Sequence, residues 1–171
     1  MWSLNEKGVV LVEFNKDLLD EYKRLIQTTN LEKAYQEFIS LFRYVKIQLE
    51  KQLQDYRFQS NIVENAMDYS YFQFTNDRLK QSGLKIAVTF VHREFKFEVW
   101  LSGFNRKIQC KYHDKLKLYN TSFELTNEPN RTDFILRTVV ENVDIYETES
   151  IILAIKTVAL QLIECADKLI G

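Results

Sequence analysis

The stretch Leu84-Lys85-Ile86-Ala87-Val88-Thr89-Phe90-Val91-His92-Arg93-Glu94-Phe95-Lys96-Phe97-Glu98-Val99-Trp100-Leu101-Ser102-Gly103 decides the fold class. Leu84 to His92 and Phe95 to Ser102 are rich in β-branched and aromatic residues, and each is predicted to be a strand. Only Arg93-Glu94 lies between them, so a tight antiparallel hairpin is expected, with Gly103 ending its second strand. Side chains alternate across a strand. Ile86, Val88 and Phe90, with Phe97, Val99 and Leu101, therefore form a uniformly apolar face that should lie against helices. The other face carries Thr89, Val91 and Arg93 on one strand and Lys96, Glu98, Trp100 and Ser102 on the other.

Toward the N-terminus, Met67 to Thr75 is aromatic and β-prone, and in one register Tyr69, Tyr71 and Gln73 join the mixed face. Asn76 to Ser82 is expected as a short helical turn closed by Gly83. Further back, Leu31, Ala34, Tyr35, Phe38, Ile39, Phe42, Val45, Leu49 and Leu53 trace one face of a long helix. Thr29 and Glu32 have the spacing of a capping box at its start, and the pattern runs to about Tyr56. A shorter helix is expected from about Lys16 to Gln27, and Val9 to Val12 is either a short strand or a lead-in to it.

Toward the C-terminus, Asn105 to Leu118 has helical spacing. Asn105 is its expected cap and Ile108, Tyr112, Leu116 and Tyr119 its apolar stripe. Phe123 to Thr126 and Phe134 to Glu141 suggest a second hairpin around Glu128-Pro129-Asn130. A final helix is expected from about Glu147 to Ile170, with Asp144 and Glu147 as a second capping box. Its apolar face is wide, and Leu153 and Leu160 extend it further. Such a helix is either well buried or shared with a second copy, so a homodimer through it is one possible assembly. The expected architecture is α+β: an antiparallel sheet of about five strands with about four helices, in one domain over residues 1–171.

Apolar residues at 46% and charged residues at 27% are globular values, which exclude a disordered tail, a collagen and a supercharged binder. A formal charge of −1 and a pI near 6.2 argue against bulk attraction to nucleic acid or an anionic membrane. The charge is uneven, however: residues 61–120 hold ten positive and six negative side chains, and residues 121–171 four and nine. The most apolar stretch, Ile151 to Ile163, is broken by Lys156, Thr157 and Gln161 and falls short of the ~20 residues a membrane span needs. The N-terminus has no basic start before an apolar core, so no secretory signal is expected. Cys110 and Cys165 are too few for a disulfide framework. A reduced, cytoplasmic protein is the resulting expectation. No phosphate-binding or nucleophile motif is present, and no cofactor and no metal are expected.

The run Met67-Asp68-x-x-Tyr71-Phe72-x-Phe74-Thr75, then Leu84-Lys85-Ile86-Ala87, Phe90-x-His92, Phe97-Glu98-x-Trp100-Leu101-x-Gly103 and Asn105-Arg106-Lys107-Ile108-Gln109, resembles an uncharacterised family of small bacterial proteins, a domain of unknown function. The resemblance extends back to Glu21-Tyr22-Lys23 and Leu31-x-Lys33-Ala34-Tyr35 and covers most of residues 16–118. It implies a bacterial cytoplasmic protein and brings no activity, cofactor or catalytic residue with it.

Three places could carry chemistry. On the mixed sheet face, Arg93 and Lys96 would be anion partners, Glu98 an orienting acceptor and Trp100 a stacking or packing anchor, with Asn105 and Arg106 at the strand–helix junction. This describes a non-enzymatic binding or protein-interaction module of unknown ligand. If a helix covers the face, Trp100 is core and Lys96–Glu98 an edge pair. On the helix that follows, Lys107, Lys111 and Lys115 recur every four residues and would suit phosphate contacts in a nucleic-acid-associated protein, or simply be solvated. Finally, Glu94-Phe95-Lys96 has the spacing of a metal-dependent hydrolase or nuclease, with Asp68, Glu98 and His92 as further members. Glu94 lies near a turn and the triplet is common, which weighs against it. Cys110-x-x-His113 lacks the second pair a zinc site requires, and His92 is expected as a histidine at the edge of the core.

Overall fold

The computed structural model describes residues 2–4, 10–12 and 14–170. Residues 1–42 and 43–171 form two compact units. In the first, strands β1 (Trp2–Leu4) and β2 (Val10–Val12) pair antiparallel. Val10 to Val12 is thus a strand; Val9 lies outside the described residues. Helix α1 (Lys16–Thr28) is capped by Asn15, whose side chain accepts from the Leu18 amide at 3.1 Å. None of its residues is buried.

Helix α2 (Leu31–Gln52) runs from the first unit into the second. Thr29 does not close the expected box; its hydroxyl donates to the Leu25 carbonyl and accepts from the Leu31 amide. The helix also stops four residues short of Tyr56. Tyr56 instead packs edge-on against Phe74, and Phe58 stacks on Phe74 with ring centroids 4.6 Å apart. Those aromatic contacts favour an extended chain over another helical turn.

The second unit is built on an all-antiparallel seven-stranded sheet, ordered β3-β5-β6-β7-β9-β8 with β4 also on β5. Its strands are β3 (Arg57–Phe58), β4 (Val63–Asn65), β5 (Tyr69–Thr75), β6 (Leu84–Val91), β7 (Lys96–Gly103), β8 (Glu124–Leu125) and β9 (Leu136–Val139). The expected count of about five misses β3 and β4, which at two and three residues are too short to show an alternation. β5 begins at Tyr69 rather than Met67 because Ala66 and Met67 take left-handed backbone, φ +50° and +60°, in the turn from β4. The central hairpin pairs in full register from Leu84↔Gly103 to Val91↔Lys96. Its turn spans residues 92–95, with Phe95 at φ +53°.

Among the described residues there are five helices, against about four expected. The short α3 (Asp77–Gln81) is capped by Asn76 and closed by Gly83, at φ +72°. Helix α4 (Arg106–Leu116) is capped by Asn105 as expected, Oδ1 accepting from the Ile108 amide at 3.0 Å. Helix α5 (Thr148–Ile170) lies along β7 and β6. Ile151, Ile152, Ile155, Ala159, Leu162, Ile163, Ala166 and Leu169 are its buried stripe. Each large aliphatic side chain buried there contributes about 1.5–3 kcal/mol. Leu153 and Leu160 do not extend that stripe; Leu153 is 64% exposed and Leu160 is exposed as well. Asp144 caps a turn at the Tyr146 amide before the helix starts, so the second capping box does not form. Among the described residues no helix is long and apolar enough to cross a membrane.

Candidate functional site

The sheet register sorts side chains into rows. On one face run Phe72, Val88 and Val99, then Phe74, Ile86 and Leu101, with Phe90 and Phe97 beyond them. All are buried, as the alternation predicts. On the other face the rows are Tyr71, Thr89 and Glu98; Gln73, Ala87, Trp100 and Arg137; and Lys85 with Ser102. Tyr69, Tyr71 and Gln73 thus do join the mixed face.

Trp100 is interior, 8% exposed. No helix is needed to cover it: Tyr69 and Phe134 flank the indole with ring centroids 5.4 Å away on each side. Its Nε1 donates to Glu98 Oε2 at 2.7 Å. Glu98 is 1% exposed and also meets Lys96 Nζ at 3.1 Å and the Arg137 guanidinium at 3.7 Å. These donors meet the demand of a buried carboxylate for partners. Lys96 further bonds Glu94, and Arg137 grips Glu124 through two bonds of 2.8 and 2.9 Å. The bond to Glu94 holds Lys96 above its ordinary pKa, and Lys96 in turn holds Glu94 below its own. Lys96 and Glu98 are thus paired with each other and with neighbouring groups, the edge pair that the sequence offered as the alternative to ligand contacts. Arg93 lies exposed in the 92–95 turn, at the far end of this face.

The cavity on this face lies toward the other end of the strands and holds about 430 Å³. Tyr69, Tyr71 and Gln73 of β5, Lys85 and Ala87 of β6, and Trp100 and Ser102 of β7 contribute to it. Phe104, Asn105, Arg106 and Gln109 close one side, and Asp133 another. The site takes in Trp100, Asn105 and Arg106 from the sequence expectation and leaves out Arg93, Lys96 and Glu98. Its volume is that of a small-molecule site.

Its wall around Asp133 is rigidly tied. Asp133 accepts from Tyr69 Oη at 2.8 Å and from Arg106 at 2.7 Å, while its backbone carbonyl accepts from Ser102 Oγ at 2.7 Å. Arg106 also donates to the Arg131 and Thr132 carbonyls, and Gln109 to those of Pro129 and Thr132. Burial, joined by the bond to Asp133, pushes the Tyr69 phenol up from its ordinary pKa.

The wall formed by β5 and β6 is different. Lys85 has no salt bridge among the described residues; its ammonium sits 5.9 Å from the centre of the Phe104 ring. Half-burial pushes its pKa down, against a smaller upward pull from Asp133. The Tyr71 hydroxyl and Gln73 side-chain amide likewise make no hydrogen bond among the described residues. The sequence reading left out Lys85, although the alternation through Ala87 and Thr89 puts it on the mixed face. Asp133 comes from a distant loop, and no local signal marks it.

The other two candidates are resolved in part. Lys107, Lys111 and Lys115 are all exposed on α4, but Lys111 and Lys115 lie over the Tyr112 ring and Lys115 donates to the Leu169 carbonyl. The buried stripe of α4 is Gln109, Tyr112, His113 and Leu116; Tyr119 is exposed. His113 Nε2 bonds the Thr126 carbonyl at 2.9 Å and Cys110 Sγ meets Asn130, so the C-x-x-H spacing serves packing. Among the described residues no three His, Cys, Asp or Glu side chains gather where a metal ion could be held. Glu94 is engaged by Lys96, and Asp68 meets His92 through its backbone carbonyl. His92 Nε2 and Ser70 Oγ are hydrogen-bonded at 2.8 Å. Ser70 is fully buried, so this pair offers no open nucleophile.

No curated protein matches the chain, and no solved structure does. A family model described as a domain of unknown function (DUF7000) matches residues 14–170, and the chain belongs to that family.

Proposed function

We propose that the chain is a non-enzymatic binding module of the bacterial cytoplasm that holds a small molecule in the cavity around Lys85 and Trp100. One observation carries this reading. Lys85 is a half-buried cation without an ion pair among the described residues, inside an aromatic cavity of about 430 Å³. An uncompensated charge held partly away from water lowers stability, and a ligand that pairs with it restores the balance. The free thiols of Cys110 and Cys165 support a reducing compartment.

Nucleic-acid association is the second reading, supported by Lys107 and Lys111, which are exposed and have no carboxylate partner among the described residues. One experiment separates the two. Amide and indole NMR shifts of ¹⁵N-labelled protein are followed against a panel of small acids, amines and neutral ring compounds, and against single-stranded RNA. The small-molecule reading expects shifts gathered at Tyr71, Lys85, Asn105 and the Trp100 indole. No response there, with salt-sensitive RNA shifts on α4, would transfer the function to the lysines.

A further inference from the structure

Resting on the small-molecule reading, we propose that the ligand is a singly charged carboxylate borne on a flat ring. The charge count comes first. The cavity is lined by two cations, Lys85 and Arg106, and one anion, Asp133. Arg106 and Asp133 are paired at 2.7 Å, which leaves the site one positive charge, on Lys85. One negative charge completes it. A phosphate dianion would bring a second charge into reach of Asp133 with no cation left to meet it.

The hydrogen-bonding groups agree. The tied wall of Tyr69, Arg106 and Asp133 has its polar groups engaged. Among the described residues, β5 and β6 leave open the Lys85 ammonium, the Tyr71 hydroxyl and the Gln73 amide, and Asn105, whose Oδ1 caps α4, adds an open side-chain NH₂. An ammonium, a hydroxyl and an NH₂ can donate together to the two oxygens of one carboxylate. Beside them the small side chain of Ala87, packed with Trp100 and Phe134, lines the cavity. Tyr71 and the exposed ring of Phe104 supply aromatic surface at its border. A flat ring makes use of that surface where a flexible chain would lose more freedom on ordering.

Calorimetric titration with 1-naphthoate, its neutral isostere 1-naphthalenemethanol and 1-naphthyl phosphate tests this. The wild-type protein should bind 1-naphthoate about tenfold more tightly than the neutral isostere, as a charge-assisted contact provides, and more tightly than the phosphate. Lys85→Gln should abolish the preference for the acid while still binding the alcohol. Equal wild-type binding of acid and alcohol would overturn the carboxylate and leave the small-molecule reading standing. Tighter binding of the phosphate would reassign the anion. Failure of all three ring compounds, when the NMR panel does show another occupant of the cavity, would overturn the ring; failure of both experiments would overturn the small-molecule reading itself. The wild-type comparison needs no variant, so it stands even if Lys85→Gln folds poorly.

Discussion

The two faces of the central hairpin share a backbone and differ in everything else. On the face along α5, Ile86, Val88, Phe90, Phe97, Val99 and Leu101 are apolar and buried, with polar contact confined to the His92–Ser70 pair at the hairpin end. The opposite face is also largely dry, yet it is dried by its own chemistry. Tyr69 and Phe134 close over Trp100, and Glu98 gathers Trp100, Lys96 and Arg137 around one carboxylate. The mixed face satisfies most of its polar groups and, among the described residues, leaves open the buried Thr89 hydroxyl and, lining the cavity, the Lys85 ammonium, the Tyr71 hydroxyl and the Gln73 amide. A site is recognised here by the groups that remain unsatisfied when their neighbours are not.

The contrast can be broken most severely on the apolar face. Phe90→Ala removes a fully buried ring that meets Phe95 and Phe97 edge-on. It should cost about 3–5 kcal/mol, read as a lower urea midpoint with unchanged slope. On the other face, Glu98→Ala leaves the Trp100 indole, Lys96 and Arg137 with one fewer acceptor in a dry setting. A loss of about 2–3 kcal/mol is expected by the same measurement. A loss below that would mean that water reaches the cluster and that this face is not closed by its own network.

Lys85→Met sharpens the comparison by reversing the sign. It removes a half-buried charge that has no salt bridge among the described residues, so stability should rise slightly, by less than about 1 kcal/mol once solvent screening is allowed for. The preference for the acid probe over the alcohol should be lost in the same variant. A destabilised Lys85→Met would show that the ammonium has a structural partner.

The smallest effect concerns the hairpin end. Burial pushes His92 below its ordinary pKa of 6.5, against weaker upward pulls from Glu64 and Asp68. Its protonated form is thus disfavoured in the folded state, and the unfolded state binds more protons as pH falls. The contribution of His92 is fully present above pH 6.5 and declines below it, toward the lower folded value. His92→Gln should flatten the decline in melting temperature between pH 7 and pH 5; an unchanged slope would place the titration elsewhere.

Much of this was legible in the residues. The alternation from Ile86 to Leu101 defined the buried face, Asn105 marked its helix, and the long stripe of α5 was read from its spacing. Local pattern was silent where the cause is distant. Tyr56 leaves α2 for Phe74, and β3 and β4 exist only because β5 offers them an edge. The candidate site divides in the same way. Trp100, Asn105 and Arg106 were legible beside one another in sequence. The Lys96–Glu98 pair was legible as neighbours on one strand, whereas Arg137, which joins Glu98, and Phe134, which packs on Trp100, arrive from β9 and the loop before it. Asp133 was invisible for the same reason, and without it the lone charge of Lys85 has no contrast.

That lone charge is the centre of the proposal, and its titration is the most direct test. The Lys side-chain Cε–Hε resonances would be followed by NMR from pH 8 to pH 12, with Lys85→Met to assign the signal, with and without 1-naphthoate. The predicted result is a Lys85 midpoint below 10.5 in the free protein that rises when the acid binds. A midpoint at the ordinary lysine value in both samples would contradict it, and Lys85 would then be one more solvated surface charge.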